Sequence, residues 1–197
     1  MHAVDGEIKK GSIKRSCSMC RVPIPSSKKE LLNRFKRRLK MNDAAAIHTF
    51  SNVNLRRTLG LSQDSKEIFD MNLKAAELGS IRAHDSVAKS YLGGVGVEQD
   101  IGKAKYHLRM SAMGGCETAR YCLGVYDELD GKIDLAMKHY MIAAKSGDDD
   151  SLKKVGEGYK AGHVTKDEYA STLRAHKVTH DEMKSKQRTD APKSSTL

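Results

Sequence analysis

The chain has 197 residues, of which 39% are hydrophobic and 30% charged, with only 3 prolines and no tryptophan; this excludes disorder throughout and favours helix over strand. The formal net charge of +10 is uneven, because residues 1–40 hold 12 Lys or Arg against Asp5, Glu7 and Glu30 while the rest of the chain balances to +1. No apolar run approaches the roughly 18 residues of a membrane span, and the segment Met1 to Glu7 lacks the apolar stretch of a secretory signal, so an intracellular protein, cytoplasmic or nuclear, is expected.

In chain order, residues 1–25 read as a basic, largely irregular head. Its Cys17-Ser18-Met19-Cys20 pair can grip one edge of a zinc tetrahedron, but a closed site needs four ligands and residues 1–16 offer only His2. Cys116 and Cys122 are six apart, about 600° around a helix and therefore on different faces, so neither readily completes that site. The plain reading is two exposed thiols in a flexible head, with intermolecular zinc or disulfide formation as the alternative. Four cysteines spread in this way fit a reducing compartment better than a secreted disulfide framework.

Residues 26–41 predict a connecting helix, with Ser27 and Glu30 spaced as a capping box. Residues 42–79 read as a degraded repeat whose middle, Asn54 to Leu61, is a longer and partly basic connection. A further helix is expected to start at Asp64, with Glu67 completing the box.

From there internal repetition dominates. Lys74 to Gly79, Met110 to Gly115 and Ile142 to Gly147 each place paired small residues three positions before a glycine, and those glycines stand 36 and then 32 residues apart. Four positions beyond each glycine are Ala83, Ala119 and Ser151; four further are Val87, Leu123 and Val155, each followed by Ala88, Gly124 or Gly156. A tyrosine recurs as Tyr91, Tyr126 and Tyr159, and Ile68, Ala104 and Ala136 stand eleven residues before the glycines. Small residues at four-residue spacing let helices approach closely, the larger ones fill the space between pairs, and the glycine supplies a positive φ at the helix end. A stack of antiparallel helix pairs follows, each stabilised mainly by its neighbours. The boundaries are residues 80–115 for the second repeat and 116–147 for the third.

Ala83, the run Tyr91 to Val97, Asp100, Lys103-Ala104 and Ala112 to Gly115 resemble a Sel1-like repeat, a tetratricopeptide-related unit of two helices. The third repeat keeps Ala119-Arg120, Leu123-Gly124, Gly131, Leu135-Ala136 and Ala143-Ala144 but shortens its connection to Asp127 to Gly131. The resemblance implies an all-α, right-handed solenoid serving as a noncatalytic scaffold for protein–protein assembly, with a protein partner met on its concave face near the junction of repeats two and three. The head resembles the last ligand pair of a RING finger. That implies an alternative, a component or truncated relative of a RING-type ubiquitin ligase, although the ligands for recruiting a conjugating enzyme are missing. Unspecific RNA binding through residues 1–40 is a second alternative, carried by charge alone and expected to fade with salt.

Other possible chemistry reads as structural. Gly93-Gly94-Val95-Gly96-Val97 lacks the Gly-Lys-Ser or Gly-Lys-Thr ending of a phosphate loop and follows a helical pattern instead of a strand, so it reads as a turn. His107 and His139 occupy equivalent repeat positions and read as packing or surface residues. Cys116 and Cys122 suit packing and have no base partner. Asp148-Asp149-Asp150 reads as a helix cap, without the alternating ligands of a calcium loop. Residues 148–186 are expected to form capping helices, with Tyr169, Leu173, His176 or Lys177 and His180 or Met183 along one stripe from Val164 to Lys186. His176 and His180, beside Asp181 and Glu182, could clamp a divalent metal weakly, but read as a solvated face; residues 187–197 read as a disordered tail. No catalytic, cofactor-binding or metal-ligating residue is assigned.

Overall fold

The computed structural model describes residues 27–190, with side chains through residue 184. The described residues form ten α-helices and no strand. These are α1 (Lys28–Lys40), α2 (Ala44–Phe50), α3 (Val53–Leu59), α4 (Ser65–Glu77), α5 (Ile81–Gly93), α6 (Ile101–Met113), α7 (Glu117–Leu129), α8 (Ile133–Lys145), α9 (Asp149–Lys160) and α10 (Lys166–Asp190). From α4 onward each helix packs chiefly on its neighbours in sequence; α2 reaches past the short α3 to α4, and α10 closes over α8 and α9. That nearest-neighbour order is the organisation of a helical solenoid.

Local chemistry sets the helix ends. Asp43, Asn52, Ser80, Asp100 and Asp148 each accept a backbone N–H from the first turn of the helix they precede, which satisfies donors that helix geometry leaves unpaired. Thr165 and Glu168 form the full reciprocal box: the Thr165 N–H donates to Glu168 Oε2 at 2.9 Å and the Glu168 N–H donates to Thr165 Oγ1 at 3.3 Å. Gly79, Gly115 and Gly147, with φ of 88°, 92° and 103°, follow the ends of α4, α6 and α8, the left-handed conformation that closes a helix without cost only at glycine.

The repeat columns are the core. Ala83, Ala119, Ser151, Val87, Val155, Ala104 and Ala136 are fully buried, and Leu123 nearly so. Among the described residues the apolar core falls into three clusters, and each draws on at least three helices. Ile47 of α2, Phe69 and Ala75 of α4, Val87 of α5 and Ala104 of α6 share one cluster. Ala88 of α5, Leu108 of α6 and Leu123 of α7 share the next. Tyr140 of α8 and Val155 of α9 anchor the last, with Tyr121 of α7 and Tyr169 of α10 packed against it. Among the described residues no helix pair has a core of its own, so removing one pair exposes apolar surface on its neighbours.

The structure departs from the sequence expectations at five places. The supposed connection from Asn54 to Leu61 is mostly helical: α3 is capped by Asn52 and ended by Gly60 at φ 72°, and Arg56 within it is buried. Arg56 Nε donates to Ser62 O at 2.6 Å and its guanidinium contacts Glu67 Oε2 at 2.5 Å. Glu67 is thereby drawn away from the box; Asp64 accepts from the Lys66 N–H, and its own N–H donates to Ser62 Oγ. In the third repeat, Asp127 to Leu129 belong to the last turn of α7, leaving only residues 130–132 as the connection. Glu128 holds that turn, accepting from Tyr140 Oη at 2.7 Å and pairing with Lys154 Nζ at 3.0 Å. On α10, Thr172 and His176 are buried while Leu173 is exposed. The Thr172 hydroxyl donates to Glu168 O at 2.8 Å, so it satisfies itself within the helix and turns inward. Cys116 and Cys122, assigned to different faces, both pack against the cluster of Ala88, Leu108 and Leu123.

Candidate functional site

The turn at Leu78 and Gly79 ends α4 and starts α5, and α5 in turn packs against α6. Between α4 and α6, over the first turns of α5, lies a groove of about 430 Å³ lined by Leu73, Ala76, Glu77, His84, Tyr106 and Met110, with His107 at its floor. His84 Nδ1 and His107 Nδ1 face each other at 2.9 Å. At that separation one ring donates its Nδ1–H and the other accepts through a lone pair. The His107 ring also stacks on Tyr91, with centroids 5.9 Å apart, and meets Tyr106 edge-on at 5.1 Å. Burial pushes both imidazoles below the usual histidine range, and His84 pushes His107 further down. The floor is therefore neutral near pH 7.

The groove continues into an exposed apolar surface. Tyr106, Met110 and Met113 stand at i, i+4 and i+7 on the outer stripe of α6, and are 55%, 37% and 78% exposed. Leu78 and Ile81, also exposed, flank the α4–α5 turn. Ile81 is held beside the end of α6 because Gly114 has no side chain; a Cβ there would lie 2.4 Å from Ile81 Cγ1. Scattered exposed apolar residues need no explanation, but a contiguous group bordering a groove marks a surface that another molecule can cover.

The other residues singled out from sequence are held structurally. His139 Nε2 lies 3.4 Å from Asp127 Oδ2, and burial pushes its imidazole down against the opposing pull of Asp127. His176 does not lie on a solvated face: it is buried, its Nε2 is 3.0 Å from Asp149 Oδ1, and its ring stacks on His180 with centroids 6.0 Å apart. The Asp149 contact lacks hydrogen-bond alignment. Thus His107, His139 and His176, each on the second helix of its pair, all reach the first helix, at His84, Asp127 and Asp149. Cys116 and Cys122 are separated by about 9 Å of helical rise, beyond disulfide reach, and burial pushes the Cys122 thiol up, with Asp85 adding to it. Asp148 accepts from the Ser151 N–H at 2.7 Å as a cap. Among the described residues no three His, Cys, Asp or Glu converge as metal ligands, and no helix is long and apolar enough to cross a membrane. Cys17 and Cys20, read as a RING-like remnant, lie outside the described residues.

The glycine-rich turn serves packing. Gly94 and Gly96 take φ of 63° and 76°, and the backbone at Gly96 presses against Ser65 in the first turn of α4. Asp100 then caps α6 through the Lys103 N–H at 2.9 Å.

The histidines carry a prediction on stability. Burial lowers the folded-state pKa of His48, His84, His107 and His139, whereas in the unfolded chain each titrates near pH 6.5. As pH falls below that value the unfolded state binds more protons, so folding free energy decreases until the folded pKa values are passed. The carboxylates of Glu128 and Glu168, held low by hydrogen bonds from Tyr140 and Thr165, add a separate loss below about pH 4.5. Urea unfolding at pH 7.5 and 5.5 should therefore show lower stability at 5.5; equal stability would contradict these burial effects.

His84 pairing with His107 was not foreseen. Tyr106, Met110 and Met113 recur at i, i+4 and i+7, but that spacing alone does not distinguish an exposed stripe from a buried one. The groove sits between the helices preceding and ending the second repeat, one repeat earlier than the expected junction.

No family model matches the chain, and no curated protein shows significant similarity to its sequence. Among solved structures, a Sel1 repeat protein from Oxalobacter formigenes matches with a TM-score of 0.63 and 23% identity, over 79% of this chain and 64% of that one. A protective antigen present in uropathogenic Escherichia coli strains, displaying an SLR fold, matches with a TM-score of 0.61 and 19% identity, over 75% of this chain and 33% of that one. The chain thus spans just under two thirds of the first protein's length and a third of the second's. What is shared at these identities is the fold: this chain is a helical solenoid like those of Sel1 repeat proteins.

Proposed function

We propose that the protein is a noncatalytic protein-interaction scaffold that meets its partner on the face formed by α4, the start of α5 and α6. The observation that carries this reading is the continuity of the groove with exposed Tyr106, Met110, Met113, Leu78 and Ile81. The groove offers apolar contact, aromatic edges and a hydrogen-bonded histidine floor, all features of recognition. Large exposed side chains near the centre of such a patch carry most of the energy when they are covered. Solenoid architecture supports the reading as well, because every helix pair is braced by its neighbours and presents a stiff surface.

Affinity purification from cells that naturally express the protein tests it. A partner retained by the wild type should be lost with Tyr106→Ala and Met113→Glu, while Val178→Asp, at an exposed position on α10, should retain it. The three variants should melt alike, since all change exposed side chains. Retention of every partner by both face variants would overturn the assignment.

A further inference from the structure

We propose that the groove between α4 and α6 takes a segment of another protein in which a large apolar side chain is flanked by lysine or arginine. This rests on the scaffold reading and specifies the chemistry of its partner. The groove walls, Leu73, Ala76, Tyr106 and Met110, are apolar or aromatic and suit an aliphatic or thioether anchor. Glu77 is the charged side chain lining the groove, and it stands in the last turn of α4. Its carboxylate gives that end of the groove a negative charge that attracts a cation. An acidic flank on the incoming segment would meet like charge there instead.

The floor sets a second condition. Glu77 of α4, Tyr91 of α5 with Lys103 above its ring, and Tyr106 of α6 are the titratable or charged groups around the histidine pair. A neutral pair shares one proton across the 2.9 Å between the Nδ1 atoms. Proton uptake puts positive charge beneath the anchor and opposes a basic segment. Binding should therefore weaken once the pH falls below the usual histidine range far enough to protonate the pair, and the half-buried His84 is the accessible member of the pair.

The test uses the full chain with methyl-labelled methionines, observed by NMR, and two end-blocked peptides, Ser-Lys-Leu-Leu-Arg-Ser and Ser-Glu-Leu-Leu-Glu-Ser. The basic peptide should shift the Met110 methyl resonance saturably and bind about fivefold tighter than the acidic one, the scale of one partly screened charge contact. Glu77→Lys should reverse that order. With both His84 and His107 replaced by glutamine, the basic peptide should still bind at pH 7.5 and lose much of the weakening seen at acid pH. Equal response to both peptides, an order unchanged by Glu77→Lys, or an unmoved Met110 methyl would overturn the proposal. A Met110 shift that follows protein concentration without peptide would overturn it in favour of a second copy of the chain. If purification still shows a partner lost with Tyr106→Ala while the peptides show no preference, the basic-flank specificity fails and the scaffold reading survives.

Discussion

Gly96→Ala is expected to destabilise the protein by about 3 kcal/mol, combining the strain of a left-handed residue with overpacking. A Cβ at Gly96 would lie 2.1 Å from Ser65 O and 2.6 Å from Ser65 C, and the residue has φ of 76°. Both atoms are backbone in the first turn of α4, so no side-chain rotation relieves the contact. The turn or the helix must move. Gly94 provides the control: its φ is 63°, but the atoms nearest to a Cβ are 3.7 Å away or more. Gly94→Ala should cost only the conformational part, about 1 kcal/mol. Urea unfolding of the two variants checks the difference, and equal costs would mean that Gly96 serves conformation alone. Because α4 forms one wall of the groove, Gly96→Ala should also disturb partner binding, whereas Gly94→Ala should leave it nearly intact.

Gly124→Ala should cost about 2 kcal/mol, the range for inserting a methyl into a packed core. Its Cβ would meet Tyr140 Cε1 at 2.6 Å, and Tyr140 is fully buried with its hydroxyl fixed on Glu128. The preceding pair shows how the site is built: the column residue there is Ala88, and the position of Tyr140 is held by Leu108. A small ring-accepting glycine and a large ring go together; so do alanine and leucine. Tyr140→Leu should therefore relieve Gly124→Ala, giving a favourable coupling of about 1 kcal/mol in a double-mutant cycle. Strict additivity would show that the two positions do not share this space.

These two sites mark what the sequence makes legible and what it does not. The columns Ala83, Ala119, Ser151 and Val87, Leu123, Val155 were readable because close helix packing demands small residues at fixed spacing, and the same demand recurs in each pair. Caps at Ser27 and Asp148 were readable because their chemistry is local. Arg56 was not, since a basic residue normally marks a solvated connection and its burial depends on Ser62 O and Glu67. Leu173 and Thr172 were exchanged for a similar reason: a threonine that bonds its own helix can be buried, and composition does not reveal which face does so. The groove is less legible still. His84 and His107 are 23 residues apart, and their meeting depends on how α5 folds back on α6.

The scaffold account is tested most directly by placing a photocrosslinking benzoylphenylalanine at Met113, and separately at Val178, in cells that naturally express the protein. Both positions are exposed, at 78% and 58%, but only the first borders the proposed face. Irradiation should give a discrete adduct with another protein from position 113 and none from 178. An absence of adducts from position 113, or the same adduct from both positions, would contradict the account.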